Sequence, residues 1–264
     1  MTIKVMISGS GKMGREVLRA VAAEPDLEPV AVVDLFATED RIPLPGGNGD
    51  VPFGTSPAAL IARTHPDVVV DFTNADWTPK LAREALDAGV RLVIGTTGLP
   101  DEFVDSLAAE CSKRGLGAVL AANFALGAVL MQHMAAIAAR FYANAEIIEM
   151  HHDQKADAPS GTSLATARGM AEAREGPFTR PPTHKETLPG TRGGETSGIT
   201  IHSVRLPGLV AHQQVIFGAP GETLTIRHDS MGRESFMPGV ILAVREVMQR
   251  RDLVIGLDRL LGLA

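Results

Sequence analysis

Short apolar runs alternate with helical patterns through the first part of this 264-residue chain, and this alternation restricts the fold more than any other feature. Runs rich in Val, Ile and Leu occur at 3–8, 28–34, 67–73, 90–97 and 117–124. Short apolar strands separated by helices are typical of a parallel sheet that is covered on both faces. We therefore predict an α/β fold in which residues 1–124 form a doubly wound, Rossmann-type domain with a parallel sheet.

The pattern changes in the last third of the chain. From residue 199, "ITIHSVR", "LVAHQQVIF" and "ETLTIRH" read as successive strands without helical patterns between them. This predicts an antiparallel sheet and no further βαβ unit. We expect a second, α+β domain with a mostly antiparallel sheet over 125–232, which binds substrate and forms the oligomer. Residues 233–264 return to helix and are predicted to rejoin the first domain.

Composition excludes several classes of protein. The chain is 45% hydrophobic and 21% charged, as in ordinary soluble proteins. Its net charge of -6 argues against a nucleic-acid partner. No apolar run approaches the roughly 20 residues of a membrane span, and none resembles a secretory signal, so we expect a cytoplasmic protein without a membrane partner. The single cysteine, Cys111, is predicted to be a small buried hydrophobe.

A glycine turn follows the first strand. Gly9, Gly11 and Gly14 have G-x-G-x-x-G spacing, and a helical pattern begins at Arg15. Glycines allow backbone amides to approach a pyrophosphate at the N-terminus of a helix, where the helix dipole also favours anions. Asp34 ends the second strand about twenty residues later, the position of an acid that accepts hydrogen bonds from ribose. Together these features predict a dinucleotide-binding site.

Asp34 also predicts which dinucleotide is preferred. A carboxylate binds a ribose 2′-hydroxyl and repels a 2′-phosphate, and Leu35 beside it provides no cation. NADH is therefore the preferred cofactor. NADPH stays possible because Lys12 and Arg41 are near in sequence.

The segment "EIIEMHHDQKADAPSGTS", residues 146–163, concentrates reactive side chains and allows three interpretations. They are a metal site on the histidines, a serine nucleophile with a histidine base, and a proton-donating pair beside an anion site. Neighbouring residues on a strand point to opposite faces, which disfavours one metal ion held by both histidines. The order P-S-G-T lacks the nucleophile elbow of serine hydrolases.

The third interpretation fits the residue types best. Ser160, Gly161 and Thr162 fall at a predicted helix N-terminus, where free amides and hydroxyls bind carboxylates. Lys155 adds a cation, and a histidine titrates near neutrality. A purely structural histidine pair with an ordinary helix cap remains the alternative. His202, His212 and His228 lie on three separate predicted strands, so we predict no metal site there either.

The segment 146–163 resembles the signature of the 4-hydroxy-tetrahydrodipicolinate reductase (dihydrodipicolinate reductase) family, and the resemblance extends over nearly the whole chain. The other matching stretches are "VVDFT", "VIGTTG", "AANFALGAVL", "VRLPGLVAHQQVIFG" and "GETLTIRHDSMGRESFMPGV". The resemblance implies NAD(P)H-dependent reduction of 4-hydroxy-tetrahydrodipicolinate, a small dicarboxylate, with loss of water, in lysine and diaminopimelate biosynthesis. It also implies a homotetramer assembled through the antiparallel sheets.

Residue roles follow from this resemblance. It implies that His151 is the catalytic proton donor or acceptor and Lys155 its partner, and that His152, Ser160, Gly161 and Thr162 hold the substrate carboxylates. The residues that match the family's cofactor segments are Ser8, Gly9, Ser10, Gly11, Lys12, Met13, Asp34, Gly95, Thr96, Thr97, Ala121, Ala122, Asn123, Phe124 and Arg233. The family's turn is usually G-x-x-G-x-x-G, and Ser8 replaces its first glycine.

Two other functions remain open from the sequence. A related Rossmann oxidoreductase acting on another carbonyl or imine would share Gly11, Gly14 and Asp34 without needing the carboxylate site. A nucleotide-sensing regulator would bind NADH without depending on His151 or Lys155. The Pro- and Gly-rich stretches 36–54 and 174–198 are predicted to be long loops.

Overall fold

The computed structural model describes residues 2–47 and 49–263 and divides the chain into two compact units. The first unit contains the chain up to Leu126 and from Arg233 onward, and the second is Gly127–Gly232. Asn48, which belongs to the predicted 36–54 loop, lies outside the described residues, as do the two terminal residues.

The first unit is built on a sheet of eight strands. These are β1 (Ile3–Ser8), β2 (Leu27–Val33), β3 (Arg41–Pro43), β4 (Asp50–Gly54), β5 (Val68–Asp71), β6 (Arg91–Ile94), β7 (Ala118–Leu120) and, after the strands of the second unit, β13 (Leu253–Ile255). Their order is β13-β7-β6-β5-β1-β2-β4-β3, and every pair is parallel except β3 with β4. The predicted doubly wound parallel sheet is confirmed.

Helices cover both faces of this sheet. They are α1 (Lys12–Ala23), α2 (Pro57–Thr64), α3 (Thr78–Asp87), α4 (Asp101–Arg114), α7 (Met237–Val247) and α8 (Leu257–Leu260), with 3-10 turns at Pro45–Gly47 and Arg233–Phe236. Met6 of β1 packs with α2, α3 and α4 in one cluster. Val5 and Ile7 point to the opposite face, because side chains alternate along a strand, and they are equally buried.

The strand order of this sheet indicates where we expect a ligand to bind. β1 lies in the middle of the sheet, with β2 and β4 on one side and β5, β6 and β7 on the other. The chain therefore changes direction through the sheet at β1. In open parallel sheets, ligands bind at the carboxyl ends of the strands beside such a switch point.

The predicted loop at 36–54 is wrong in part, because it contains two strands. β4 pairs in parallel with β2, and β3 folds back antiparallel onto β4 at the edge of the sheet. Its prolines and glycines suggested a loop. Proline is tolerated in peripheral strands, where not every amide is needed for the sheet.

The second unit contains one five-stranded sheet and two helices. Its elements are α5 (Leu126–Ala139), β8 (Asn144–His151), α6 (Gly161–Glu172), β9 (Gly194–Thr196), β10 (Ile199–Arg205), β11 (Ala211–Ala219) and β12 (Glu222–Ser230). The order is β12-β11-β8-β10-β9, and the pairs are antiparallel except β8 with β10. The mostly antiparallel sheet is confirmed. β9 lies within the predicted loop 174–198.

One prediction about this unit is wrong. The last third does contribute to a βαβ connection, because β10 pairs in parallel with β8 after the chain has crossed through α6. The helix precedes residue 199, so the strand pattern beyond that point does not reveal the crossover. This connection brings the last residue of β10, Arg205, opposite His151, the last residue of β8.

The core of the second unit lies on one face of its sheet. Ala135 of α5 and Met170 of α6 pack with Ile147 of β8 and Phe217 of β11, all fully buried. The alternation along β8 places Glu149 on this same face, where it is 0% exposed. A charged residue thus occupies a core position two residues before His151.

Candidate active site

The glycine turn of the first unit has the geometry that an anion-binding turn needs. Gly9 has φ +101°, which disfavours any other residue. A Cβ on Gly14 would lie 1.9 Å from the Gly9 carbonyl oxygen, so α1 approaches the turn more closely than a side chain permits. Ser8 is the buried last residue of β1, and its Oγ accepts a hydrogen bond of 3.0 Å from Trp77 Nε1. A serine here is compatible with the strand and adds a tie to the N-terminus of α3.

Asp34 faces this turn. Its Oδ2 accepts hydrogen bonds from Ser10 N and Ser10 Oγ at 2.6 and 2.8 Å, and its Oδ1 accepts one from Phe36 N at 2.9 Å. Partial burial acts to raise the pKa of Asp34, but these hydrogen bonds outweigh it and the pKa lies below its usual value. The carboxylate is therefore ionised and fixed beside the turn.

A buried aspartate that was not identified from the sequence forms hydrogen bonds beside the next predicted cofactor segment. Asp71, at the end of β5, is 0% exposed and accepts hydrogen bonds from the hydroxyls of Thr73, Thr78 and Thr96 at 2.7, 2.6 and 2.8 Å. Gly95 is required beside it, because a Cβ there would lie 2.1 Å from the Phe72 ring. In the sequence, Asp71 could have been identified because it is a charged residue at the end of the otherwise apolar strand "VVVD".

The predicted cofactor residues gather at one edge of the sheet. Ser8 ends β1, and the segments that begin at Asp34, Gly95 and Ala121 directly follow β2, β6 and β7, so all four occur at carboxyl ends of parallel strands. Ala121 and Phe124 are buried, whereas Thr97 and Ala122 are exposed. Exposed Arg233 begins a 3-10 turn that contacts α1, the helix after the glycine turn.

In the second unit, the end of β8 contains a histidine held by a buried carboxylate. His151 Nδ1 lies 2.5 Å from Glu149 Oε2. Arg205 pairs with both oxygens of that carboxylate, through Nη1 to Oε2 at 2.9 Å and Nη2 to Oε1 at 2.8 Å. Ser160 N donates to Oε1 at 3.3 Å. Glu149 therefore links the histidine, an arginine of β10 and the first residue of the predicted carboxylate site.

Opposing effects set the ionisation of this pair. Desolvation acts to raise the pKa of Glu149, but its hydrogen bonds, above all to Arg205, hold it below its usual value. Burial lowers the pKa of His151; Glu149 opposes this effect, whereas the charges of Lys155 and Arg205 reinforce it. The result is an ionised glutamate beside a histidine whose pKa lies below its usual value.

The loop after β8 contains the other predicted catalytic group. Lys155 Nζ donates to Asp157 Oδ1 at 2.6 Å, and Arg205 Nη2 donates to the Asp157 carbonyl oxygen at 2.7 Å. His152, the next residue after the strand, is exposed. Lys155 lies close enough to His151 for its positive charge to help lower the pKa of that histidine.

The residues of the predicted carboxylate site lie at the N-terminus of α6. Ser160 is the N-cap, and its Oγ accepts a hydrogen bond from Ser163 N at 3.2 Å. The amides of Gly161 and Thr162, the first two of the helix, have no intrahelical acceptor. They stay free to bind an anion, which the positive end of the helix dipole favours.

A buried polar network, not detected from the sequence, fixes this helix end. Ser163 Oγ donates to Gln213 Oε1 at 2.6 Å, and Gln213 Nε2 donates to Thr166 Oγ1 at 2.8 Å. Since the Ser163 hydroxyl proton is used in this way, Ser160 must donate in the 2.8 Å contact between the two serine hydroxyls. The network holds α6 against β11.

The remaining reactive groups have ordinary partners. His202 pairs with Glu146 and His212 with Asp229, each at 2.8 Å. Within residues 2–47 and 49–263, no three or more His, Cys, Asp or Glu side chains form a metal-binding group, and no helix is long and apolar enough to cross a membrane. Burial, with the charges of Asp252 and Glu110, raises the pKa of the Cys111 thiol to about 11, so its predicted role as a buried hydrophobe is confirmed.

The doubly wound sheet, the glycine turn with its acid, and a histidine beside an anion site define a Rossmann-type oxidoreductase that uses NAD(P)H. The family model "Dihydrodipicolinate reductase, N-terminus" matches residues 3–124, and "Dihydrodipicolinate reductase, C-terminus" matches residues 127–261. The chain belongs to the dihydrodipicolinate reductase family, as its sequence resemblance predicts.

Relatives of known name agree along the full length. The chain is 49% identical over 262 residues to the 4-hydroxy-tetrahydrodipicolinate reductase of Dehalococcoides mccartyi, with 99% of each chain covered. It is 47% identical to the enzyme of that name from Geobacillus kaustophilus, with 99% of this chain and 100% of the relative covered. The dipicolinate-bound dihydrodipicolinate reductase of Paenisporosarcina sp. TG-14 superposes with a TM-score of 0.90 at 44% identity, covering 98% of this chain and 99% of that one.

Proposed function

We propose that His151 and Lys155 perform the proton chemistry in the reduction of 4-hydroxy-tetrahydrodipicolinate to tetrahydrodipicolinate, the reaction that defines this family. Loss of water from the cyclic hydroxy-imine leaves a conjugated ring, and bound NAD(P)H supplies the hydride for its C4. A proton must then reach the neighbouring ring carbon. His151 donates that proton, and Lys155 stabilises the anionic charge that forms.

One observation supports this assignment above the others. A single β8–α6 connection places a histidine with a buried carboxylate partner at the end of the strand and a capped helix N-terminus nine residues later. A dicarboxylate needs an anion site, and its reduction needs a proton donor nearby. We assign substrate-carboxylate binding to His152, Ser160, Gly161 and Thr162, with Lys155 as the adjacent cation.

In the first unit, the glycine turn and the segments at the same sheet edge are proposed to bind the cofactor. The ionised carboxylate of Asp34 favours NADH over NADPH, since it attracts a ribose 2′-hydroxyl and repels a 2′-phosphate. The residues proposed to hold the dinucleotide are Ser8 to Met13, Asp34, Gly95 to Thr97, Ala121 to Phe124 and Arg233.

The second unit is also proposed to assemble the protein as a homotetramer, in the cytoplasm. Ile148 and Met150 of β8 and Ile216 of β11 alternate with core residues, so they point to the face of the sheet opposite the core. They are only partly buried within one chain. A second copy that covers this face would remove their apolar surface from water.

A coupled assay tests the reaction. A synthase that condenses pyruvate with aspartate semialdehyde supplies fresh substrate, and NADH oxidation is followed by its absorbance. We expect oxidation only when the synthase and this chain are both present. NADH binding without oxidation would support the nucleotide-sensing alternative. Oxidation of NADH by another carbonyl or imine, with none by the synthase product, would support a different Rossmann reductase.

A further inference from the structure

We propose that Glu149 is a positioning residue that orients His151 for proton transfer and at the same time fixes the first residue of the carboxylate site. This inference rests on the proposed function of His151 and deepens it. Neither contact was apparent from the sequence, where Glu149 is one of two glutamates in "EIIEMHH".

Glu149 is placed by β8 on the same side of the strand as His151. Glu149 and His151 are two residues apart on β8 and therefore share one face of the strand. The glutamate is 0% exposed, whereas the His151 side chain retains 15% exposure. His151 thus lies at the edge of the core, and its Nδ1 contacts the buried carboxylate of Glu149.

The chemistry of the two groups determines which nitrogen exchanges protons. An ionised carboxylate only accepts hydrogen bonds, so His151 Nδ1 must donate to Glu149 Oε2. His151 Nε2 is then the nitrogen that exchanges a proton with the substrate. When the imidazolium gives its Nε2 proton to the ring carbon, the Nδ1 proton stays on His151 in the bond to Glu149, and solvent restores the Nε2 proton.

Arg205 keeps the glutamate from taking that proton. Its two terminal nitrogens pair with both carboxylate oxygens, which favours the ionised form of Glu149. Arg205 also donates to the carbonyl oxygen of Asp157, in the loop between His151 and the proposed carboxylate site. The charged groups that act on His151 are therefore Glu149 of its own strand, Arg205 of β10 and Lys155 of the following loop.

Glu149 Oε1 completes the link to substrate binding. It accepts the hydrogen bond of Ser160 N, the residue whose Oγ caps α6. One carboxylate thus contacts the proton donor through Oε2 and the helix cap through Oε1. Loss of its charge is expected to affect turnover first and substrate binding second.

The same strand provides a matched control. Glu146 pairs with His202 at 2.8 Å and with Arg192 at 2.9 Å, a similar glutamate–histidine–arginine group. It points to the opposite face of β8, and its hydrogen-bond partners His202 and Arg192 both lie outside α6. A charge-neutral substitution of Glu146 removes the same kind of pair away from the proposed proton-transfer site. Because Glu146 shares the open face of β8 with Ile148, the sedimentation of this variant is compared with that of the unaltered protein to detect any change in assembly.

The test compares Glu149→Gln, Glu149→Asp and Glu146→Gln by kcat, its pH profile and the ¹⁵N shifts of the His151 ring. We expect Glu149→Gln to lower kcat about tenfold to a hundredfold, the loss typical when a carboxylate that orients a metal-bound histidine is removed. Without the negative charge, the pKa of His151 falls, so the loss of activity with rising pH begins at lower pH. Glu149→Asp keeps the charge and is expected to recover part of the rate.

The ring spectrum separates positioning from folding. In the unaltered protein we expect neutral His151 to be protonated at Nδ1, and we expect this preference to weaken in Glu149→Gln while NADH affinity is retained. Glu146→Gln should match the unaltered protein in profile and spectrum. A wild-type pH profile and tautomer in Glu149→Gln would overturn the inference. Wild-type turnover in His151→Gln would instead remove the proposed role of His151 itself.

Discussion

At the scale of single residues, the proposed cofactor preference and proton transfer each depend on one ionised carboxylate. Asp34 is held by Ser10 and Phe36 beside the glycine turn, and Glu149 is held by Arg205 beside His151. Both remain ionised because hydrogen bonds outweigh the effect of desolvation on their pKa values.

Cofactor preference is the prediction that belongs to this scale. Asp34→Ala should lower the ratio of kcat/KM for NADH to that for NADPH by about tenfold or more, as expected for losing a charged hydrogen-bond acceptor. Asp67→Ala is the matched control, since Asp67 accepts a hydrogen bond from Lys4 N just before β5 begins. An unchanged ratio in Asp34→Ala would show that this carboxylate does not select the cofactor.

The two carboxylates differ in how well the sequence predicts them. Asp34 follows a strand at a fixed spacing from the glycine turn, so local pattern is sufficient. The carboxylate of Glu149 is held by Arg205, which is 56 residues away in sequence. The two residues meet because β10 pairs in parallel with β8. Nothing local in "EIIEMHH" indicates which glutamate faces the core.

At the scale of elements, α6 is the helix to which we assign substrate binding. The sequence predicts a helix N-terminus at residues 160–162, and the helix begins there, at Gly161, with Ser160 as its N-cap. The network through Ser163 and Gln213 was not predictable, because it needs β11 to pack beneath the helix. The β3–β4 hairpin was missed because Pro and Gly suggested a loop.

Two serine caps provide a test at this scale. Ser160→Ala and Ser56→Ala each remove an N-cap hydroxyl, from α6 and α2 respectively, and each should lower the free energy of unfolding by about 1 kcal/mol. Only Ser160→Ala should also raise the KM for the dicarboxylate, because we assign the carboxylate site to α6 and not to α2. Denaturant unfolding and steady-state kinetics measure the two effects. Equal KM values in both variants would contradict the assignment of the carboxylate site.

At the scale of the whole molecule, the chain consists of two units with different sheets. The alternation of strands and helices was sufficient to predict the parallel sheet of the first unit. The second sheet was predicted in kind but not in connection, since the β8–β10 crossover joins segments on either side of a long irregular stretch. The tetramer is a property of this second sheet in our proposal.

Assembly can be measured directly. Sedimentation should give the mass of four chains, and Ile148→Lys, which places a charge on the open face of the second sheet, should lower it. Phe141→Lys is the control, because Phe141 is an exposed apolar residue two positions after the end of α5 and outside that sheet. A monomeric mass for the unaltered chain would contradict the proposed homotetramer.

The central claim is that one β8–α6 segment contains both the proton donor and the carboxylate site. It is tested most directly by measuring kcat, in the coupled assay, and dipicolinate affinity for His151→Gln and Thr162→Val. The account predicts opposite effects. His151→Gln should lose about 10²–10⁴-fold in kcat while dipicolinate affinity changes little. Thr162→Val should weaken dipicolinate binding more than it lowers kcat. Near-normal turnover in His151→Gln, or unchanged dipicolinate affinity in Thr162→Val, would contradict it.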